Sequence, residues 1–530
     1  MAKSWPKIVR EIPEVWRPVP IPAKAPTRTI VTRQYSGARN TNLTGGFGSA
    51  GNSSADAELS LSLTQLRSRS RQLMRDAPYA KRARVIVVNN VIGSGIGLQA
   101  QVKNTRGELH SRMNESIEAE WQDWSCAEYC HTGGELHFCD LERLAMSEVF
   151  TAGEAFIRLH FRPFGESRVP LQLEVIEAER VADDSFTPPT ASARMGVEVD
   201  IFGRPLAYWI REAHPGDLRA LPEQRQRLVR VPADQIIHLR IVERWPQTRG
   251  EPWLHAVLRK LNDMDQYSAS ELEAARASAA YFATLESPVD DSLPTEKQAD
   301  GSKSLNIEPL MIEQLAPGDE LKFHAPNRPN TAIDPFLRYM LREVAAGTGV
   351  SYGSISRDRS QANYSSERID LLEDRDLWRV LQAWWIRAFR ERLHKVWLQQ
   401  AVLARATAAI TVEQYALNAK ALAAVRWKPR GWSWVDPTKE VDAYKEAVKA
   451  GFITVSQVIA QTGGGVDIED VIAERKEELA MFEAADINVD TTVPDEPASP
   501  TSAPAEPKAN EPADGEPPSR VVVMTKVRNA

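Results

Sequence analysis

Residues 352–372, YGSISRDRSQANYSSERIDLL, lie between two stretches whose apolar residues recur at helical spacing, Phe336 to Val344 and the Trp-rich run Leu371 to Trp397. The stretch is polar, carries Arg357, Arg359 and Arg368, and has Tyr352 and Tyr364 at its flanks. It holds no histidine, no cysteine and no acid pair placed for catalysis. It reads as a loop between two long helices, able to touch something polar and anionic.

The surroundings of this loop are architectural. Upstream, Glu251-Pro-Trp253 starts a helix running to about Leu285, with its proline early, where it is tolerated. About 30 residues at 1.5 Å each give a rod of about 45 Å. Its second half, ELEAARASAAYFATL, is rich in small residues. Residues 286–329 then change character: they are Pro-rich, with short strand-like pieces at Ile307 to Ile312 and Glu320 to His324. Asp334-Pro335 opens a helix to about Ala346. Two helices thus flank a Pro-rich β insertion, and the Arg-bearing loop comes after them.

Downstream, a helix is expected from about Ser366 to Ala409, with Trp378, Trp384, Trp385 and Trp397. Adjacent Trp384 and Trp385 cannot both face one core. Glu440 to Ala450, Val455 to Thr462 and Ile468 to Ala485 read as three shorter helices. Before residue 251, Leu59, Leu63, Leu66, Leu73 and Met74 mark a helix, with Arg67, Arg69, Arg71 and Arg75 between them. Asp76-Ala-Pro-Tyr79 breaks it. A second apolar run, Ala80 to Ile92, ends in Gly93-Ser-Gly-Ile-Gly97, and Leu98 to Val102 alternates like a strand. Asn114 to Trp124 and Asp140 to Thr151 read as helices. The segments at 154–161, 171–176, 196–201, 207–211 and 235–241 read as sheet. Residues 57–245 are therefore a mixed α+β domain.

With 530 residues the chain exceeds one ordinary core, and three or four domains are expected. Apolar residues make up 42% and charged ones 26%, and the net charge of −7 excludes a chain that is basic as a whole. DNA remains possible as a passenger, because a surface along which DNA slides should not grip its phosphates. No apolar run is long enough to span a bilayer, and the N-terminus, broken by prolines and charges, lacks a signal h-region. Three cysteines fit a reducing compartment without a disulfide framework. Residues 1–55 form a basic, Pro/Gly/Ser-rich arm and residues 486–530 a Pro/Ala/Glu-rich tail, both expected to be disordered in the free chain.

Sites of chemistry are scarce. Gly93–Gly97 does not fit the dinucleotide fingerprint, leads into a strand and lacks Gly-Lys-Ser/Thr, so it reads as a tight turn with positive φ. Cys126, Cys130, His131, His137 and Cys139 have metal-like spacing but no second Cys pair. They read as thiols beside a Thr-Gly-Gly turn, and no metal or cofactor is expected. The nine histidines are scattered, and no Ser/His/Asp constellation or DNA-binding module stands out.

Over roughly residues 56–485 the chain resembles the portal proteins of tailed bacteriophages, in the lambda-like family. Arg67-Ser-Arg69 through Asp76-Ala-Pro-Tyr79-Ala80 looks like the family's Arg-rich helix and NPYA segment, with Asp76 for the usual Asn. Val88 to Ile96 is similar to the family's next run, from helix into glycines, and Phe138 to Leu144 with Gly153 to Arg158 resembles the helix and strand after it. Ala345-Ala346-Gly347-Thr-Gly-Val350-Ser-Tyr352 and Ser360-Gln361-Ala-Asn363-Tyr364-Ser365-Ser366 match the most specific motif, and Trp434-Val435-Asp436-Pro437-Thr-Lys439-Glu440 a late signature. Each fragment is weak alone; their shared order over most of the chain is what carries the resemblance.

The resemblance implies a helix-rich α+β portal fold that assembles as a ring, usually of twelve, without enzymatic activity or cofactor. It implies a wing (56–250, with helices 367–436), a stem (251–285 and 330–350), a clip (286–329), a tunnel loop (351–366) and a crown (437–485). It places Arg357, Arg359, Gln361, Asn363 and Tyr364 toward the DNA. It places Glu308, Glu313, Asp319, Glu320 and Lys322 in the clip, where the terminase large subunit and then the head–tail connector dock. Major capsid and scaffold proteins are further implied partners, and the virion's portal vertex the location, with no membrane role. A portal of a gene-transfer particle or defective prophage is the alternative. A nucleotide-dependent enzyme using Gly93–Gly97 is a weaker rival. For Arg357 and Arg359, a subunit-contact role in which they pair with acids next door competes with DNA contact.

Overall fold

Leu59, Leu63 and Arg67, then Ser70, Leu73 and Met74, form one buried stripe along α1 (Ala55–Asp76), whose first turn is capped by Ser54 Oγ accepting the Ala57 N–H at 3.2 Å. Arg67 belongs to this stripe rather than to the solvent face between the leucines, because it pairs with the buried carboxylate of Glu154. The structure, a computed structural model, describes residues 52–162, 165–183, 193–280, 283–286, 296–297, 303–304, 320–323, 332–360, 363–432, 437–462 and 468–485. Residues 1–51 of the N-terminal arm, the C-terminal tail and the 307–312 strand piece lie outside the described residues, while the last residues of the arm, 52–55, lead into α1.

After α1 come α2 (Pro78–Val91), β1 (Gly97–Ala100), α3 (Ser111–Trp124), α4 (Ala127–Cys130) and α5 (Phe138–Ala152). The sheet region holds β2 (Glu154–His160), β3 (Gln172–Ile176), β4 (Ala193–Arg194), β5 (Val197–Val199), β6 (Pro205–Arg211), α6 (Pro222–Gln226), β7 (Leu228–Pro232) and β8 (Ile236–Arg240). Long helix α7 (Leu258–Ala280) leads to β9 (Ala283–Glu286), β10 (Glu296–Lys297), β11 (Lys303–Ser304) and β12 (Glu320–Phe323). The chain returns through α8 (Ile333–Thr348), α9 (Tyr352–Ser356) and α10 (Tyr364–Trp385). A π-helical turn, Ile386–Arg390, joins α10 to α11 (Glu391–Leu403), and α12 (Val412–Leu422) and β13 (Val425–Lys428) come next. A second unit, from Gly431, holds α13 (Pro437–Lys449), α14 (Val455–Thr462) and α15 (Ile468–Ala484), of which α14 packs on α15.

Two antiparallel sheets share a core: β3-β2-β8, and β4-β5-β6-β7. Phe156, Ile176, Val197, Tyr208, Ile210 and Ile236 fill the space between them. The expected helix from 251 begins only at Leu258. Residues 247–257 are held by other bonds, such as the Trp253 N–H to the Phe150 carbonyl at 3.1 Å. The helix ends at Ala280, where β9 pairs antiparallel with β12. Helices α7 and α8 run antiparallel: Lys260 meets Glu343 at 2.7 Å, and seven residues along, the Tyr267 ring lies 4.9 Å from that of Phe336. The insertion of β9 to β12 thus begins and ends at the far end of this helix pair. β1 finds its partner in β13, Gly97 opposite Lys428.

Two buried charges organise the interior. Glu154, at the start of β2, is fully enclosed. Its Oε1 accepts from Arg249 Nε at 2.7 Å and from Arg67 Nη2. Its Oε2 accepts from His238 Nε2 at 2.9 Å and from the Gly250 N–H at 2.8 Å. Burial alone would raise its pKa, but the charges of Arg249 and Arg67 and the His238 bond hold it well below the carboxylate range. Gly153 lets this happen. It ends α5 with φ +90°, and a Cβ there would meet the Glu251 carbonyl carbon at 2.2 Å. The second charge is Glu142 on α5. It accepts from Trp385 Nε1 at 3.0 Å, from Arg390 Nε at 2.6 Å and from Arg390 Nη2. The guanidinium of Arg390 lies over Phe138 at 4.7 Å and Trp427 at 5.3 Å. Trp385 is fully buried while Trp384 is half-buried, so the adjacent tryptophans do split.

Glu154→Gln keeps the volume and leaves two buried guanidiniums without their carboxylate. A loss of about 3–5 kcal/mol is expected in denaturant unfolding. Acid should also weaken the fold. Burial, with Arg390 adding, pulls His394 down to about 4, and burial with the Arg240 charge pulls His238 to about 3. An unfolded histidine titrates near 6.5 and takes protons the fold refuses. The stability present above that pH is therefore lost as pH falls toward 4 and 3. Denaturation midpoints should fall between about pH 7 and about pH 5, and His394→Phe should flatten the slope by up to about one proton.

Candidate nucleic-acid interface

Gly349, with φ +69°, stops α8, and the chain turns into α9, so residues 352–356 of the expected loop are one helical turn. Asp374 on α10 staples that turn in place. The buried carboxylate accepts from Ser351 N at 3.0 Å, Ser351 Oγ at 2.7 Å and Ser354 Oγ at 3.3 Å. Burial raises its pKa, although these bonds oppose the rise. A second carboxylate, Asp358, ties the loop back to α8. It accepts from the Tyr352 hydroxyl at 3.0 Å and the Ser360 N–H at 3.0 Å, and lies 3.4 Å from Arg338 Nε. The Ser360 bonds, with Tyr352 and Arg338 adding, hold its pKa down to about 2. Arg342 lies over the Tyr352 ring at 5.7 Å.

The basic residues end up in different settings. Arg357 caps α9 in the left-handed region, φ +57°, with its N–H on the Gly353 carbonyl at 3.0 Å and its side chain exposed. It has no ion-pair partner among the described residues. Arg359 is exposed and lies 3.5 Å from Glu367 Oε1, a surface pair of little strength. Asn363 is the N-cap of α10: its Oδ1 accepts the Ser366 N–H at 2.8 Å, and Ser366 Oγ accepts the Asn363 N–H at 3.3 Å. Its carboxamide therefore already has a structural task. Tyr364 is the first residue of α10, and Gln361 lies outside the described residues.

One neighbour escaped the sequence reading. Arg82 on α2 donates from Nε to the Ser354 carbonyl at 3.3 Å. Its pKa is lowered by burial and by the charge of Arg357. The basic run Lys81-Arg82-Ala-Arg84 was visible, but nothing local tied it to a loop 272 positions away. α2 packs on α9 here, and the charge of Arg357 acts on Arg82. Of the residues expected to dock partners, Glu320 and Lys322 lie in β12 opposite Glu286 and Thr284, while Glu308, Glu313 and Asp319 lie outside the described residues.

The other candidates resolve into turns. Gly95, φ +118°, runs so close to α5 that a Cβ would sit 2.4 Å from Cys139 Sγ, and Gly93–Gly97 leads into β1 rather than a helix N-terminus. Cys130 is buried, its thiol pushed up to about 12 by burial, and it donates to the Ser125 and Leu136 carbonyls at 3.5 Å each. His131 Nδ1 and His137 Nδ1 accept the N–H groups of Glu135 and Cys139, closing turns. Among the described residues no helix is long and apolar enough to cross a membrane.

Comparison with known proteins gives a consistent family. Residues 42–382, well over half the chain, match the phage portal protein, lambda family. The chain is 28% identical to a "Probable portal protein" of Halomonas phage phiHAP-1, covering 87% of this chain and 88% of the relative. It is 22% identical to the portal protein of Escherichia phage N15, covering 86% and 92%. It is likewise 22% identical to portal protein B of Escherichia phage lambda, covering 82% and 86%. Among solved structures, it is similar to a chain in the neck of an empty GTA particle at TM-score 0.43 and 15% identity, covering 74% of this chain and 93% of that one. A chain in the neck of a native GTA particle gives 0.40 and 14%, with the same coverage. By the family match over residues 42–382, the chain belongs to the lambda family of phage portal proteins, structural ring components of the virion that catalyse nothing.

Proposed function

We propose that the chain closes into a ring, of twelve subunits, at one capsid vertex, and that double-stranded DNA passes along its axis during packaging and ejection. The observation that carries this reading is the α7–α8 pair, which bears an inserted β segment at one end and the pinned, Arg-bearing segment 351–360 at the other. In this reading residues 56–250 and 367–436 are the wing, the helix pair is the stem, 286–329 is the clip, 351–366 is the tunnel loop and 437–485 is the crown. Exposed apolar side chains on the helices concerned, Leu272, Tyr339, Ile369 and Val380, fit a surface that a neighbouring subunit covers. The ring is heterologous, one face of each subunit meeting the other face of the next. The particle is that of a phage, a gene-transfer particle or a defective prophage; the ring and channel are common to all three.

The loop's electrostatics suit passage rather than grip. DNA carries about one charge per 1.7 Å of axis, and many strong cation contacts would stall it. Here Arg357 stands exposed, Arg359 is partly offset by Glu367, and Asp358 keeps its negative charge over the working pH range. Asn363, the N-cap of α10, and Tyr364, its first residue, follow in the same segment. Terminase and, later, the head–tail connector dock on the clip, through Glu308, Glu313, Asp319, Glu320 and Lys322.

Arg357→Ala with Arg359→Ala should leave rings intact and their melting temperature unchanged while altering packaged DNA length or retention, an effect that shrinks with added salt. Rings that melt early before any DNA is present, with normal DNA handling in the survivors, assign the loop to subunit contact instead. Replacing residues 286–329 by a short linker should leave rings in native mass spectrometry and abolish packaging. Folded monomers that no longer assemble would give the clip a subunit-contact role.

A further inference from the structure

We propose that Glu243, Glu251 and His255 form a binding site for a first-row divalent cation at the joint where β8 hands over to α7. One carboxylate oxygen from each glutamate and a ring nitrogen of the histidine lie within 4.8 Å of one another. The histidine ring is oriented by a backbone bond. Its Nδ1 lies 3.1 Å from the Pro252 carbonyl, and because a carbonyl oxygen only accepts, the proton is on Nδ1 and the lone pair on Nε2. An imidazole oriented through its other nitrogen in this way is the arrangement metal-bound histidines adopt.

The charges call for the same occupant. Among the described residues neither carboxylate has a hydrogen-bonded or ionic partner, and His255 makes no ion pair with either. Glu243 and His255 are exposed and Glu251 is half-buried, so water screens the two carboxylates in part, and a cation between them removes the repulsion that remains. The three side chains line a cavity of about 300 Å³ shared with Ile241, Trp253 and Thr348, with room for waters that complete the coordination.

The backbone holds the ligands in place independently of any ion. Glu251 is pressed against Gly153, and Trp253 is fixed through its N–H to Phe150 and through Nε1 to the Thr348 carbonyl at 2.9 Å. The Glu243 N–H donates to Gln247 Oε1 at 3.0 Å. Two oxygens and one imidazole nitrogen suit Mn²⁺ or Zn²⁺ better than Ca²⁺ or Mg²⁺, which prefer all-oxygen sets. A cation here ties the end of the sheet to the start of α7, beside the end of α8, and stiffens the joint between the sheets and the helix pair.

The test uses the full-length, tag-free chain after chelator treatment. Binding of Mn²⁺ is read by electron paramagnetic resonance and of Zn²⁺ by calorimetry, with Ca²⁺ as control. One ion per chain is expected, with a rise in melting temperature that tracks ion concentration. Glu251→Gln and His255→Asn should each weaken binding by at least about tenfold. Glu243→Gln, at an exposed position with no side-chain bond to lose, should do the same while melting like the parent in chelator. Absence of saturable binding overturns the site. So does binding unchanged in His255→Asn, or Ca²⁺ held as tightly as Zn²⁺, because either leaves the imidazole without a part.

Discussion

One carboxylate, Glu154, holds the α+β region in register. Its two oxygens collect bonds from α1 through Arg67, from β8 through His238 and from the segment before α7 through Arg249 and Gly250. Arg249 then directs its other N–H groups to the carbonyls of Ala182, Met195 and Ala178. A lone buried charge of either sign would cost several kcal/mol; the network is tolerable only because nearly every polar atom in it is bonded. Such an arrangement adds little net stability over an apolar core. It does specify which helix, strand and linker meet, since no other arrangement satisfies the same groups. The entry to α7 is fixed at this point, and with it the position of the helix pair.

A similar logic governs the other side of α5. Glu142 and Arg390 pair inside an aromatic shell made by Phe138, Trp385 and Trp427, with Trp121 and Trp397 in edge contact at 4.9 Å. The π-helical turn at Ile386–Arg390 brings both Phe389 and Arg390 inward before α11 resumes. Helix α5 therefore carries one charge hub on its side and another just past its C-terminus. The loop after α8 inherits this rigidity. Asp374 on α10 fixes α9, and Asp358 ties the turn at residues 358–360 to Arg338 of α8. The exposed arginines therefore stand on a firm base rather than on a slack tether.

Under the proposed channel role, the balance of charges near the loop matters more than their number. Pairing Arg359 with Glu367 and Arg338 with Asp358 leaves Arg357, close to Arg82, as the local positive excess. Surface pairs are weak and screened by salt, so in the proposed channel role this balance yields to passing phosphates without a large energetic step.

The sequence by itself determined the elements and the family. Period-3.6 and period-2 patterns located α3, α5, β2, β3 and β8 to within three residues at each end, and ordered motifs from Arg67 to Glu440 carried the portal resemblance, because both depend on local spacing. It also marked the turn at Gly93–Gly97 and the split of Trp384 from Trp385. Only the tertiary structure decided what depends on groups far apart in the chain. Arg67 left the solvent face because Glu154, 87 positions later, needed a cation. β13 formed because β1, far upstream in the chain, offered it an edge. α7 started late because Arg249 and Gly250 were already bound to Glu154. In the candidate interface, the sequence supplied Arg357, Arg359 and Asn363. The fold assigned Asn363 to capping and brought Arg82 alongside, since hydrogen-bond partners and charge neighbours are set by packing and not by spacing.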